Sequence, residues 1–87
     1  MSRDRRLARR FGTIVRQHRA RRGFSQEVLA ERTGLHRTYI GHIERGEKTV
    51  TIATAARLAR GLGLSLAEIF AEVEGRRAAR RQGKRLS

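Results

Sequence analysis

Five glycines, Gly23, Gly34, Gly46, Gly63 and Gly75, cut the chain into segments of helical length, and each follows a stretch with apolar residues at helical spacing. A helix that ends in glycine places it just past the last turn, where the backbone turns left-handed and a β-carbon is costly. There is no proline. No stretch alternates apolar and polar residues as a half-buried strand does. The pattern predicts an all-α fold of five short helices.

Spacing assigns the inner faces. In a first helix from near Asp4 to about Arg22, Leu7, Phe11, Val15 and His18 fall on one side. Ser25 can cap a second helix that buries Val28 and Leu29. A third runs from about His36 to Arg45, with Ile40 and Ile43 inward. Thr51 can cap a fourth, with Ile52, Ala55, Ala56, Ala59 and Leu62 inside. Ser65 and Glu68 form an S-x-x-E capping box that opens a fifth, whose stripe is Leu66, Ile69, Phe70 and Val73. The expected core is Phe11, Val15, Phe24, Val28, Leu29, Leu35, Ile40, Ile43, Ile52, Leu62, Leu64, Leu66 and Ile69. Burial of each side chain contributes roughly 1.5–3 kcal/mol. Against chain entropy that leaves a marginal domain, which dimerisation would help.

Charge narrows the partner. The 87 residues carry a net charge of +13, from 21 Lys and Arg against 8 Asp and Glu. Residues 1–10 hold five arginines against Asp4, and residues 76–87 hold six cations and no acid. The centre is close to ordinary, with a basic segment on each side: an extension over 1–10 that can continue the first helix, a domain over 11–74, and a tail over 75–87. Such a field attracts polyanions, of which nucleic acid is the commonest and an acidic membrane surface the competitor. Without cysteine there is no disulfide framework and no thiolate metal site. No apolar run approaches the roughly 20 residues that span a bilayer. The arginine-rich start has no apolar stretch behind it, so it does not read as a secretory signal. The expected setting is the cytoplasm, on the nucleoid of a bacterium or phage host.

The most informative stretch is residues 25–46, SQEVLAERTGLHRTYIGHIERG. Two short helices flank a turn at Gly34, an order that lets the second helix protrude into a duplex major groove about 12 Å wide. The stretch resembles the Cro/repressor-like (XRE-type) helix-turn-helix DNA-binding family. FGTIVRQHRARRGFSQ resembles that family's first helix, and TIATAARLARGLGLSLAEIF its fourth and fifth. Gln26, Leu29, Ala30, Gly34 and the Ile-Glu-x-Gly of Ile43 to Gly46 fall in register, and the resemblance covers roughly residues 11–70.

The resemblance implies a compact five-helix repressor-like domain with basic tails. It also implies a transcriptional regulator that binds specific double-stranded DNA as a homodimer on a palindromic operator, with no cofactor, no metal and no catalytic residue. Arg37, Thr38 and His42 take the family's base-reading positions on an outward face shared with Gly41. Arg37 can make two hydrogen bonds to guanine or clamp a phosphate, Thr38 can meet a thymine methyl, and His42 can donate to guanine or to phosphate. Gln26, His36, Tyr39, Arg45 and Lys48 are the phosphate-binding candidates, which position without reading sequence. Glu44 is expected to pair with Arg19 and fix the first helix against the third. Phe70 and Val73 are candidates for a dimer interface. The sequence departs from the family at His36, where a Ser or Thr cap is usual, and at His18, where the usual residue is apolar. His18 is expected to pack as a neutral histidine at the core edge.

Two other uses remain open. The same fold serves antitoxins and coactivators that bind a protein partner, and basic tails can bind RNA. RNA readers usually depend on exposed stacking aromatics, and here only Tyr39 is a candidate. No paired carboxylates, nucleophile–base set or phosphate-cradling glycine loop points to an enzyme.

Overall fold

A computed structural model describes residues 2–75 of the chain; the basic segment over 76–87, and most of the expected tail with it, lies outside the described residues. The described residues form five α-helices and no strand: α1 (Arg3–Arg21), α2 (Gln26–Thr33), α3 (Arg37–Glu44), α4 (Ile52–Gly61) and α5 (Leu66–Val73). Helix α1 runs unbroken from the basic N-terminal stretch into the domain.

Local chemistry sets the boundaries. Ser2, Ser25, Thr51 and Ser65 each accept a backbone N–H of the first turn they precede, and Ser65 and Glu68 complete the reciprocal capping box. The five glycines that end segments are the five with positive φ, between 70° and 76°. After α1, α3 and α4 the chain closes by paired bonds. In the turn after α3, the Gly46 N–H donates to Ile43 O and the Glu47 N–H to His42 O, at 3.0 and 2.9 Å. That doubled closure folds the residue after the glycine back toward the helix it has just left.

Helix α1 packs on α3 and α5, while α2 packs on α3 and α4. Between them lie Phe11, Ile14, Val15, Leu29, Ile40, Ile43, Ala55, Leu58, Ala59, Leu62, Ile69 and Val73. Two close crossings depend on missing side chains. A β-carbon at Gly12 would collide with the Ile43 carbonyl oxygen, and one at Gly61 would stand 2.6 Å from Thr33 Cγ2. Arg32 of α2 covers the second seam, donating to Gly61 O at 2.7 Å and lying 4.6 Å over the Phe24 ring.

Several expected core residues lie elsewhere. Ile52 is 71% exposed because it begins α4 before its inner face, Ala55, Leu58, Ala59 and Leu62, meets a neighbour. Val28 is 37% exposed, one residue around a helix whose buried line is Leu29 and Thr33. Leu7, expected only to share the inner side of α1 and not to join the core, is 43% exposed because the buried stripe of α1 begins at Phe11. Phe24, Leu35, Leu64 and Leu66 border the core half-buried. Spacing gives a helix its faces but not where along its length a partner starts.

Candidate nucleic-acid interface

Helix α3 is held from behind by one buried carboxylate. Glu44, on its last turn, accepts Arg19 Nε at 2.6 Å on Oε2 and Arg19 Nη2 at 3.0 Å on Oε1. Gln26 Nε2 donates to the same Oε1 at 3.1 Å, and Arg19 Nη1 donates to Phe24 O at 2.8 Å. The Glu44 side chain is 3% exposed and that of Arg19 17%. The hydrogen bond to Glu44 raises the Arg19 guanidinium further above its already high value. A two-pronged charge-assisted contact fixes direction as well as distance, so α1, α2 and α3 hold one orientation around Glu44.

With its back fixed, α3 turns Thr38, His42 and Arg45 outward at spacings of four and three. Arg37 and Thr38 are exposed, His42 and Tyr39 are half-buried, and Arg45 and Lys48 are exposed in and after the last turn. Arg37 Nε stands 3.7 Å from Glu27 Oε2, both side chains largely in solvent. Such a pair contributes little and gives way easily to a phosphate or a base.

Gln26, expected to face a phosphate, is half-buried and spends one amide hydrogen on Glu44. Gly41, expected on the outward face, is instead buried. Arg45 Nη1 lies 3.2 Å, and the Gln26 amide 3.8 Å, from where its β-carbon would stand. Its missing side chain makes room for those two residues.

The three histidines separate by environment. His36 caps α3 through Nδ1, which accepts the Thr38 N–H at 3.2 Å; the sequence predicts a weaker cap here than Ser or Thr would give. His18, 6% exposed, sits at the core edge between Glu72 Oε1, 3.0 Å from Nε2, and Arg22 Nη1, 3.0 Å from Nδ1. Arg22 can only donate, so Nδ1 accepts and Nε2 carries the hydrogen toward Glu72. His42 stands 2.7 Å from Glu47 Oε1 through Nδ1. Among the described residues, no group of three His, Cys, Asp or Glu could hold a metal ion, and no helix is long and apolar enough to cross a membrane.

The two candidates for a dimer interface differ in exposure. Val73 is 8% exposed and belongs to the chain's own core. Phe70 keeps an exposed face and meets Phe11 edge to face, with ring centroids 6.5 Å apart. Exposed Leu7 lies one turn before Phe11 on the same side of α1.

Sequence reasoning missed two residues of the site. Glu47 binds both His42 and Arg45, accepting Arg45 Nε at 3.0 Å. Those hydrogen bonds, Arg45 first and His42 second, hold its carboxyl down at about 2. Five residues separate it from His42, a spacing that no continuous helix brings together; only the reversal at Gly46 does. Gly12, which lets α1 press on the end of α3, stands within an apolar-periodic run and gives no local signal beyond being a glycine inside a helix.

The helix-turn-helix family model matches residues 15–69, which hold the C-terminal part of α1, all of α2, α3 and α4, and the start of α5. This chain belongs to the helix-turn-helix family, of the Cro/C1 type, whose members are DNA-binding transcription regulators. Among its relatives in that family is the control protein C.SmaI of Serratia marcescens, 49% identical over 56 residues that cover 64% of this chain and 67% of that protein. The restriction–modification controller C.AhdI of Aeromonas hydrophila superposes with a TM-score of 0.70 at 38% identity, over 72% of this chain and 96% of the other. The controller C.Esp1396I, solved as a tetramer on its natural 35 base-pair operator, superposes with a TM-score of 0.74 at 30% identity, over 80% of this chain and 92% of the other.

Proposed function

We propose that this helix-turn-helix protein is a sequence-specific regulator of transcription that lays α3 in the major groove of duplex DNA and binds as a dimer to a two-fold symmetric operator. The observation that carries the reading is the Glu44 brace. A helix that must present Thr38 and His42 to base edges has to keep its roll and tilt, and the Arg19–Glu44–Gln26 contacts supply that from behind the face that carries those two residues. Arg37, Thr38 and His42 read bases. Gln26, His36, Tyr39, Arg45 and Lys48 meet phosphates on either side of the groove, Gln26 through the one amide hydrogen that Glu44 leaves. The relatives' restriction–modification control role fits a protein of this size and charge, and the C.Esp1396I operator complex supports an assembly of more than one copy.

The exposed face of Phe70, which packs on Phe11, together with exposed Leu7 one helical turn before Phe11, is the apolar surface best suited to join two copies. A dimer places two α3 helices about 34 Å apart, one duplex turn. Binding-site selection from random duplexes tests the whole reading. The expected result is a two-fold symmetric motif with half-sites about one turn apart. No enrichment over scrambled duplexes would sink it.

A further inference from the structure

Glu47 is an acid on a surface meant for a polyanion, and the base-reading assignment gives it no task. The turn after α3 delivers it to His42, where Oε1 stands 2.7 Å from Nδ1. Arg45 grips the same carboxylate, with Nε donating to Oε2 at 3.0 Å and Nη2 to Oε1 at 3.2 Å. An oxygen and a ring nitrogen at this separation need a hydrogen between them, since two lone pairs would repel. Glu47 is ionised down to about pH 2, so the hydrogen belongs to the imidazole. Arg45 Nη2 also approaches Nδ1, at the longer distance of 3.3 Å. It and Nδ1–H converge on Oε1 as two donors on one acceptor.

A neutral imidazole carries one hydrogen and one lone pair, and the bond made by one nitrogen fixes the character of the other. In the neutral ring, with the hydrogen held on Nδ1, Nε2 presents its lone pair, and among the described residues Nε2 has no hydrogen-bond partner. In the major groove, cytosine N4 and adenine N6 are donors, while guanine O6 and N7 and thymine O4 are acceptors. We propose that Glu47 is a positioning residue for base reading: by holding the His42 hydrogen on Nδ1 it makes Nε2 an acceptor, so that His42 selects an amino-bearing base, cytosine or adenine. This reverses the guanine-donating role expected from the sequence. It rests on α3 occupying the major groove. Glu47 touches no base itself; it acts through the tautomer of its neighbour, and it aims Arg45 by the same two oxygens.

Two measurements test this on the full chain. Ring 15N shifts of His42, recorded without DNA at alkaline pH where the ring is neutral, report which nitrogen bears the hydrogen. The expected result is Nδ1 in the wild type and a mixture in Glu47→Gln, whose amide can accept or donate. Binding-site selection with wild type, His42→Ala and Glu47→Gln reads the consequence. One position per half-site should favour cytosine or adenine severalfold in the wild type. That preference should vanish in His42→Ala and broaden to admit guanine in Glu47→Gln. A hydrogen on Nε2 in the wild type overturns the inference, as does guanine or thymine at the His42-dependent position. So does a Glu47→Gln protein that shifts affinity for all sequences alike. Each of those outcomes leaves DNA reading by Arg37 and Thr38 standing, whereas a wild type that enriches no sequence removes that reading as well.

Discussion

Gly12 of α1 is pressed against the backbone at the end of α3, so closely that a β-carbon there would stand 2.9 Å from the Glu44 carbonyl oxygen and 3.0 Å from its carbon. The neighbour is backbone and cannot rotate away as a side chain could. The contact sets the depth at which α1 crosses α3, and therefore whether Arg19, seven residues further along α1, meets Glu44 squarely. Gly12→Ala is expected to destabilise the fold by roughly 1–3 kcal/mol, the usual cost of overpacking. Denaturant unfolding measures it. The helix propensity of alanine works the other way by about 1 kcal/mol, so a more stable variant would show that the two helices can part here at little cost.

Removing the carboxylate behind α3 leaves a guanidinium with most of its surface covered and no counter-charge. Glu44→Ala is expected to lower stability by roughly 2–4 kcal/mol, toward the lower part of the range for breaking a buried pair, because Arg19 retains some solvent. Affinity for the selected operator should fall with it even at temperatures where the variant stays folded, since α3 loses its fixed orientation. Thermal unfolding and operator titration check the two separately. Equal values to wild type in both would show that the pair does not hold α3 in place.

Arg37 and Lys48 should fail in different ways. Arg37→Ala is expected to cost about 1–3 kcal/mol on the selected operator and to relax preference at one base position. Lys48→Ala should weaken all sequences about equally and reduce the slope of log affinity against log salt by about 0.9. Titrations on operator and scrambled duplexes at several salt concentrations distinguish them. If Arg37→Ala behaved as Lys48→Ala is expected to, Arg37 would be a phosphate clamp.

Glu47 carries a pH signature. Its carboxyl, ordinarily near 4.5, is held at about 2 by the hydrogen bond from Arg45 and then by that from His42. A depressed carboxylate contributes its stabilisation fully above the ordinary value. That contribution is lost as pH falls from about 4.5 through about 2. The group is exposed, so salt should weaken the effect. Carboxyl 13C titration should place the Glu47 midpoint near 2 in the wild type and move it upward in Arg45→Ala. An ordinary midpoint in the wild type would mean the Arg45–Glu47–His42 contacts do not persist in solution.

The cationic segment over 76–87 lies outside the described residues but can be tested directly. Deleting it removes six cations. If they meet phosphates, the salt slope falls by about 0.9 for each phosphate left unneutralised. An unchanged slope would make the segment a bystander.

What the chain wrote locally, it determined by itself. Ser25, Thr51, the Ser65–Glu68 box and the five turn glycines each act through atoms three to five residues away, so a linear reading finds them and the five helices follow. The order of two short helices around Gly34, with the residues in register beside it, carried the family. Tertiary structure decided what depends on where a partner begins: that Ile52 and Val28 face solvent, that Val73 is core, that Gly41 lies under Gln26 and Arg45, and that Glu47 returns to His42. Periodicity states the direction in which a side chain leaves its helix; only packing states what waits there.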